Sequence, residues 1–161
     1  MDGPDIRLAE PADMALLSLA LEKLSDDLGD HHHAGAADLA AACHGPHPGC
    51  HGFLAIYGGV PVGVALVSPV FSTTKGTMGV YVSDLWVEAS LRGKGLGRRL
   101  LRDVAAFGAD RWGATFLKLT VYADNTPARA FYEYLGFRIA EKDQSYLLAG
   151  AELNALTGAA I

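Results

Sequence analysis

Residues 91–101 read LRGKGLGRRLL, three glycines within five positions followed by an arginine-rich run. A strand that breaks into glycines and then starts a helix leaves several backbone N–H groups aimed at one point, where the helix dipole adds about half a positive charge. Such a place binds anions. Glycine there permits close approach of a ligand and, at some positions, a positive φ. Arg92, Lys94, Arg98 and Arg99 set cations around the same point, a local reversal of sign in a chain of net charge −5. Two further groups could do chemistry. Asp84 interrupts the apolar run TMGVYVSDLWV, where a carboxylate is costly to bury without a partner or a task. Cys43 and Cys50 lie with His44, His47 and His51 in CHGPHPGCHG, donors that could hold zinc. Their spacing matches no familiar finger, and Pro46 and Pro48 make a loose loop, so free thiols and no metal are expected. The HHH run at 31–33 reads as a solvated loop.

Two phosphate motifs compete for the glycine stretch and both fit poorly. A P-loop needs Lys and then Ser or Thr after its last glycine, whereas Gly97 is followed by Arg98 and Arg99. The dinucleotide fingerprint belongs to a parallel βαβ unit, whereas Gly93, Gly95 and Gly97 alternate and hairpin strands precede them. A plain turn capping an amphipathic helix accounts for one or two glycines but not for the gathering of cations.

The elements that must position these groups follow from periodicity. A strand over residues 6–9 leads to a helix entered at Pro11, with Met14, Leu17, Leu21 and Leu24 as its apolar stripe. A second helical stretch covers 36–42. GFLAIY and VPVGVALVSPVF flank Gly58 and Gly59, a hairpin signal. Residues 77–87 give the longest strand, which ends where the glycine stretch opens. From Gly95 a helix follows with Leu96, Leu100, Val104 and Phe107 on one face, stopped by Gly113. TFLKLTVY is a strand, and PARAFYEYLG a short helix with Pro127 in its first turn and Gly136 at its stop. FRIA and SYLLA read as a closing pair of strands. The whole is a mixed sheet with helices on its faces, one domain over residues 1–161.

Composition excludes several classes. Half the residues are hydrophobic and 19% charged, which is globular rather than disordered composition. Apolar runs are broken well before the ~18 residues of a membrane span. The acidic start, MDGPDIRLAE, is unlike a signal peptide, and a cytoplasmic setting is expected. The net negative charge argues against nonspecific nucleic-acid binding.

Arg92-Gly93-Lys94-Gly95-Leu96-Gly97 resembles the Arg/Gln-x-x-Gly-x-Gly/Ala motif of the GNAT superfamily of N-acetyltransferases, and it lies where that family carries it, after a long central strand. NTPARAFYEYLGF is similar to the family's Asn-x-x-Ala…Tyr-Glu-x-x-Gly-Phe segment, through Asn125, Ala128, Tyr132, Glu133, Gly136 and Phe137. The resemblance covers nearly the whole chain and is poor between about His31 and His51. It implies an α/β (α+β) fold with a central mixed, mostly antiparallel sheet of six to seven strands and helices on both faces.

It also implies acetyl-CoA as co-substrate, with the pyrophosphate on the amides of Gly93, Lys94, Gly95, Leu96 and Gly97, helped by Arg92 and Arg98. The pantetheine arm would run beside Leu85, Trp86 and Val87, adding itself as a strand. Asn125, Ala128 and Phe131 would complete the coenzyme contacts, Asn125 either bonding the arm or ordering the helix entry. A main-chain N–H near Leu85 or Val87 would polarise the thioester carbonyl. Tyr132 is then the acid for the departing thiolate, and Asp84 takes the proton of the incoming amine, directly or through water. VYVSDLWV resembles the corresponding strand of diamine acetyltransferases, although Ser83 stands where that branch can carry a second acid. Tyr81, Glu22 and Asp26 are secondary candidates for amine contact. The expected acceptor is a primary amine of a small molecule or peptide. Other acyl donors, a protein acceptor, a non-catalytic coenzyme-binding module and metal-dependent regulation at the Cys/His loop stay open. The apolar C-terminal segments permit a homodimer.

Overall fold

Four strands run as an antiparallel meander, β1 (Asp5–Leu8), β2 (His51–Tyr57), β3 (Val60–Ser72) and β4 (Thr77–Val87), and a short β5 (Leu117–Leu119) joins β4 in parallel. The computed structural model describes residues 3–158 and divides into two compact units, one ending at Tyr122 and one beginning at Ala123.

In the first unit, α1 (Met14–Leu28), α2 (Ala36–His44) and α3 (Leu96–Trp112) cover the sheet. Strand alternation decides which residue meets which helix. Val64 of β3 belongs to a core with Leu17 and Leu21 of α1, Leu39 of α2, Leu54 of β2 and Trp86 of β4. Its neighbour Gly63 faces the other way, where a Cβ would lie 3.0 Å from Leu100 of α3. β2 repeats the division: a Cβ on Gly52 would sit 2.8 Å from Leu17, while the ring of Phe53 meets Phe107 of α3 edge-on at 5.3 Å. The sheet thus carries α1 and α2 on one face and α3 on the other, as expected. Leu17, Leu54, Val64, Leu100 and Val104 are wholly buried, each such side chain contributing about 1.5–3 kcal/mol.

The start of the chain is fastened to this body by charge. Arg7 of β1 forks onto both carboxylate oxygens of buried Asp13, and Asp13 also accepts the Glu10 N–H at 2.8 Å. The Arg7 hydrogen bond holds the Asp13 carboxyl down to about 2, against the penalty of burial.

β4 contains an irregularity. Asp84 pairs with Leu66 and Val82 with Val67, so Ser83 is an extra residue, a β-bulge. β5 pairs with β4 only at Val80, Tyr81 and Val82. Beyond the bulge β4 has no strand neighbour on that side among the described residues.

The second unit holds α4 (Thr126–Tyr134) and α5 (Gly150–Thr157), with Pro127 in the first turn of α4 and Gly136 at φ +95° just past its end. The expected closing strands over 137–140 and 145–149 are not formed, and the sheet has five strands among the described residues, not six to seven. Residues 138–149 are exposed throughout, with Tyr146 and Leu147 more than nine-tenths so. Apolar alternation describes which faces a strand would offer; the strand itself needs a hydrogen-bonded neighbour, and these segments pair with none. The helix α5 has no counterpart among the expected elements.

Candidate active site

The glycine stretch folds as a turn that opens α3. Gly93 and Gly95 have φ of +73° and +84°, backbone that an L side chain rarely adopts, whereas Gly97 is already helical. The first helical hydrogen bond runs from Arg99 N–H to Gly95 C=O, 3.0 Å. The N–H groups of Leu96, Gly97 and Arg98 therefore precede any intrahelical partner and lie at the positive end of the α3 dipole. A Cβ at Gly93 or Gly95 would have nothing within 4 Å, so the turn's outer surface is open. The Leu96 side chain is buried at 4% exposure and offers this surface only its main chain.

The cations divide into two groups. Lys94 and Arg98 flank the turn, both exposed and without a fixed partner among the described residues. Arg92 is committed elsewhere: its Nε donates to Val87 O at 2.8 Å and its guanidinium pairs with Asp27 of α1. Arg99 donates to Pro4 O at 3.0 Å and so fastens the start of β1. The turn is tied to α1 by Arg92 and presents Lys94, Arg98 and the amides outward.

Asp27 escaped the sequence reading. Besides Arg92 it accepts the indole N–H of Trp86 at 3.0 Å. Four residues earlier on α1, Lys23 pairs with Glu88 at 3.4 Å and lies 5.5 Å from the centroid of the Trp86 ring. The available signal was a carboxylate three residues past Leu24, continuing an apolar stripe. Lys23 and Asp27 together clasp the end of β4 to α1.

The end of β4 is the second component. Glu88 donates its N–H to Val62 O at 2.9 Å. Two residues back Trp86 opposes Val64 in the same sense, so Leu85 and Val87 turn their main-chain groups away from β3, onto the edge that β5 leaves unpaired. Trp86 keeps its main chain toward β3 and its indole in the core, so Leu85 and Val87 alone of these three turn main-chain groups to that edge.

Asp84 stands on the face of β4 that Trp86 shares, toward α1. Its Oδ2 lies 2.8 Å from the Ser83 hydroxyl, which is also 3.1 Å from Leu66 O. Burial pushes the Asp84 carboxyl above the usual carboxylate range, opposed by the Ser83 hydrogen bond and by the charge of His32. One hydroxyl proton cannot serve both oxygens. Ionised Asp84 accepts it, and protonated Asp84 can instead donate to Ser83, leaving the hydroxyl for Leu66. The HHH run is therefore more than a solvated loop: the His32 ring is held between Ser25 Oγ (3.0 Å) and Ala34 O (2.8 Å), while His31 and His33 flank it on the outside.

Within the second unit, Asn125 caps α4 by accepting the Ala128 N–H at 3.3 Å, the helix-entry role. Ala128 and Tyr132 are half-buried on that helix, as is Phe131. The Tyr132 ring contacts Phe131 at 5.3 Å and Phe137 at 5.5 Å, and burial raises its phenol above the ordinary value. Among the described residues no group of three or more His, Cys, Asp or Glu is gathered as a metal site; the Cys/His loop brings together two thiols.

The profile of the acetyltransferase (GNAT) family matches residues 16–137. Thialysine N-epsilon-acetyltransferase of Sus scrofa is 31% identical over 104 residues, 63% of this chain and 60% of that protein. N-alpha-acetyltransferase RimI of Mycobacterium tuberculosis is 34% identical over 96 residues, 59% of this chain and 57% of that protein. The chain thus spans about three fifths of the length of these two curated relatives. The solved structure of an integron cassette protein from the mobile metagenome of V. cholerae superposes with a TM-score of 0.79 at 25% identity, covering 98% of this chain and 99% of its own.

Proposed function

The chain belongs to the acetyltransferase (GNAT) family, and we propose that it transfers an acetyl group from acetyl-CoA directly to a primary amine of a small molecule or peptide. The observation that supports this reading is the sequence of β4 and α3: a strand edge at Leu85 and Val87 that has no strand neighbour among the described residues, its Val87 carbonyl held by Arg92, leads within a few residues to a left-handed glycine turn with free amides. An extended arm ending in a diphosphate fits that order, the arm adding to the strand edge and the diphosphate resting on the helix start. Both curated relatives are named for acetylation of an amine, one ε and one α, which supports the acceptor class.

In this reading the thioester oxygen, which becomes negative as the amine attacks, is met by a main-chain N–H of Leu85 or Val87. An amine of pKa ~10 arrives protonated, and Asp84 takes its proton directly or through water. The raised Asp84 carboxyl is a better match to that task than a solvated carboxylate. Tyr132 then returns a proton to the coenzyme thiolate. An ordinary phenol has a pKa about 1.5 above that of a thiol, an uphill step of about 2 kcal/mol. Burial raises the phenol further, but a thiolate held away from water is penalised in the same way.

The test is release of free thiol from acetyl-CoA with a panel of amines, with product mass measured. One or more amines should gain an acetyl group. Absence of coenzyme association by calorimetry would remove the proposal. Tyr132→Phe should lower kcat by about a hundredfold and leave coenzyme affinity within about twofold; loss of affinity with kcat intact would reassign Tyr132 to packing.

A further inference from the structure

The Cys/His loop that acyl transfer leaves unused contains two free thiols in contact. Cys43 Sγ and Cys50 Sγ lie 3.4 Å apart. Both are held by structure formed without them. Cys43 lies near the end of α2, inside the core with Leu17, Leu21 and Leu39, at 5% exposure. Cys50 is half-buried and immediately precedes β2, whose first residue, His51, is packed against Phe107 and Trp112 at 5.4 Å each. The intervening chain is already closed: Gly49 donates its N–H to Ala42 O at 2.8 Å and Gly45 to Ala41 O at 3.1 Å, so hydrogen bonds secure the backbone beside both cysteines. Pro46 and Pro48 restrict what freedom remains. From 3.4 Å, rotation of the side chains need close only about 1.4 Å to reach a disulfide bond length of about 2.05 Å.

We propose that Cys43 and Cys50 form a reversible dithiol–disulfide site, entered at Cys50 by a low-molecular-weight disulfide such as oxidised glutathione. The order follows from access. Cys50 Sγ, as thiolate, attacks one sulfur of the incoming disulfide, whose S–S bond breaks and releases one thiol. A mixed disulfide remains on Cys50. Cys43 then loses its proton, its sulfur attacks Cys50 Sγ, the in-chain S–S bond forms and the second thiol leaves. Two protein thiols are oxidised and one external disulfide is reduced to two thiols.

The buried partner suits the second step only. Burial pushes the Cys43 thiol up to about 12, with the Cys50 hydrogen bond and charge adding to the effect. Once Cys50 is capped its charge is gone, and Cys43 is freed of that part of the penalty at the moment it must attack. Because Cys43 packs in the same core as Leu17 and Trp86, the bond would clamp α2 to β2 within the layer that flanks β4.

The test uses the full reduced chain, oxidised glutathione, acid quenching, alkylation and peptide mapping. The wild-type chain should lose two hydrogens in mass, yield a peptide joining Cys43 to Cys50, resist alkylation at both, and return to the dithiol with dithiothreitol. Cys43→Ala should stop at a mixed disulfide on Cys50. In Cys50→Ser, Cys43 should react at least about tenfold more slowly than Cys50 does in Cys43→Ala. A stable mixed disulfide on wild-type Cys50, disulfide-linked dimers without the in-chain bond, or two thiols left free would each overturn the proposal. The wild-type map decides even if a variant fails to fold, and the outcome is independent of acyl transfer.

Discussion

Replacing Gly95 by alanine perturbs the glycine turn that opens α3 and little else. At φ +84° an L residue costs about 1–2 kcal/mol in the left-handed region. No atom lies within 4 Å of the new Cβ, so no clash adds to this, and the smaller entropy of an unfolded alanine returns about 0.5–1 kcal/mol. The net loss of about 1 kcal/mol should lower Tm by about 3 °C for a chain of this length. The other end of the same helix supplies a matched control. Gly113 has φ +66° and likewise nothing within 4 Å of an added Cβ, so Gly113→Ala should carry the same folding cost. The two differ only in what a ligand would meet. Gly95 immediately precedes the Leu96, Gly97 and Arg98 amides, whereas Gly113 lies at the far end of the helix. Losing one amide bond to a charged phosphate oxygen is worth about 1.5–3 kcal/mol, or about ten- to a hundredfold in Kd. Differential scanning calorimetry and titration calorimetry with CoA read the two quantities separately. If both variants bind CoA like wild type, or if Gly113→Ala weakens it as much as Gly95→Ala, the glycine turn is only a helix cap.

The remaining predictions concern protons. Asp84 must be ionised to act as base, and its carboxyl is raised, so the acid limb of kcat/KM should lie above the ordinary carboxylate range, activity falling as pH drops through it. Ser83→Ala removes the hydrogen bond that favours the carboxylate and should move that limb to higher pH, whereas Asp84→Asn should abolish it; a limb unmoved by either change would exclude Asp84 as the base. Asp13 has the opposite sign. Its carboxyl is lowered from 3.8 to about 2, so its contribution to stability is complete above about 4 and disappears as pH falls toward 2. With Arg7 partly exposed this amounts to about 1–2 kcal/mol, read as the difference in urea unfolding between wild type and Asp13→Asn at pH 7 and pH 2; a difference that does not shrink at pH 2 would refute it.

Local chemistry made much of this molecule readable in advance. The β-branched run Thr77–Val87 ends as a strand where a glycine turn must begin, and Leu96, Leu100 and Val104 mark the face of α3 that is buried. Gly113 and Pro127 punctuate their helices as their backbone preferences require. What escaped depends on partners distant in sequence. Asp27 matters because Trp86 and Arg92, about sixty residues away, point at it. His32 is fixed by Ser25 and Ala34 in a loop whose composition suggests only solvent. FRIA and SYLLA have strand-like alternation but no hydrogen-bonded neighbour, and α5, with Leu153 and Leu156 exposed, buries no face that a periodicity could announce.

The surplus residue at Ser83 has a consequence that is arithmetic rather than chemical. Val80, facing Gly108 of α3, and Trp86, facing α1, are an even number of positions apart, yet they look to opposite sides of the sheet. Parity is switched in between because Val82, Ser83 and Asp84 stand against only Val67 and Leu66, leaving Ser83 unpaired. A chain lacking Ser83 would keep Asp84 and Trp86 on their present side and lose the kink together with the Ser83 hydrogen bonds to Asp84 and Leu66 O. Straightened, β4 would be free to continue its ladder with the chain after Leu119, filling the gap in which an acyl arm could lie. The opening is thus written into the length of one strand, and a single deleted codon could zip it shut while leaving every side chain pointing as before.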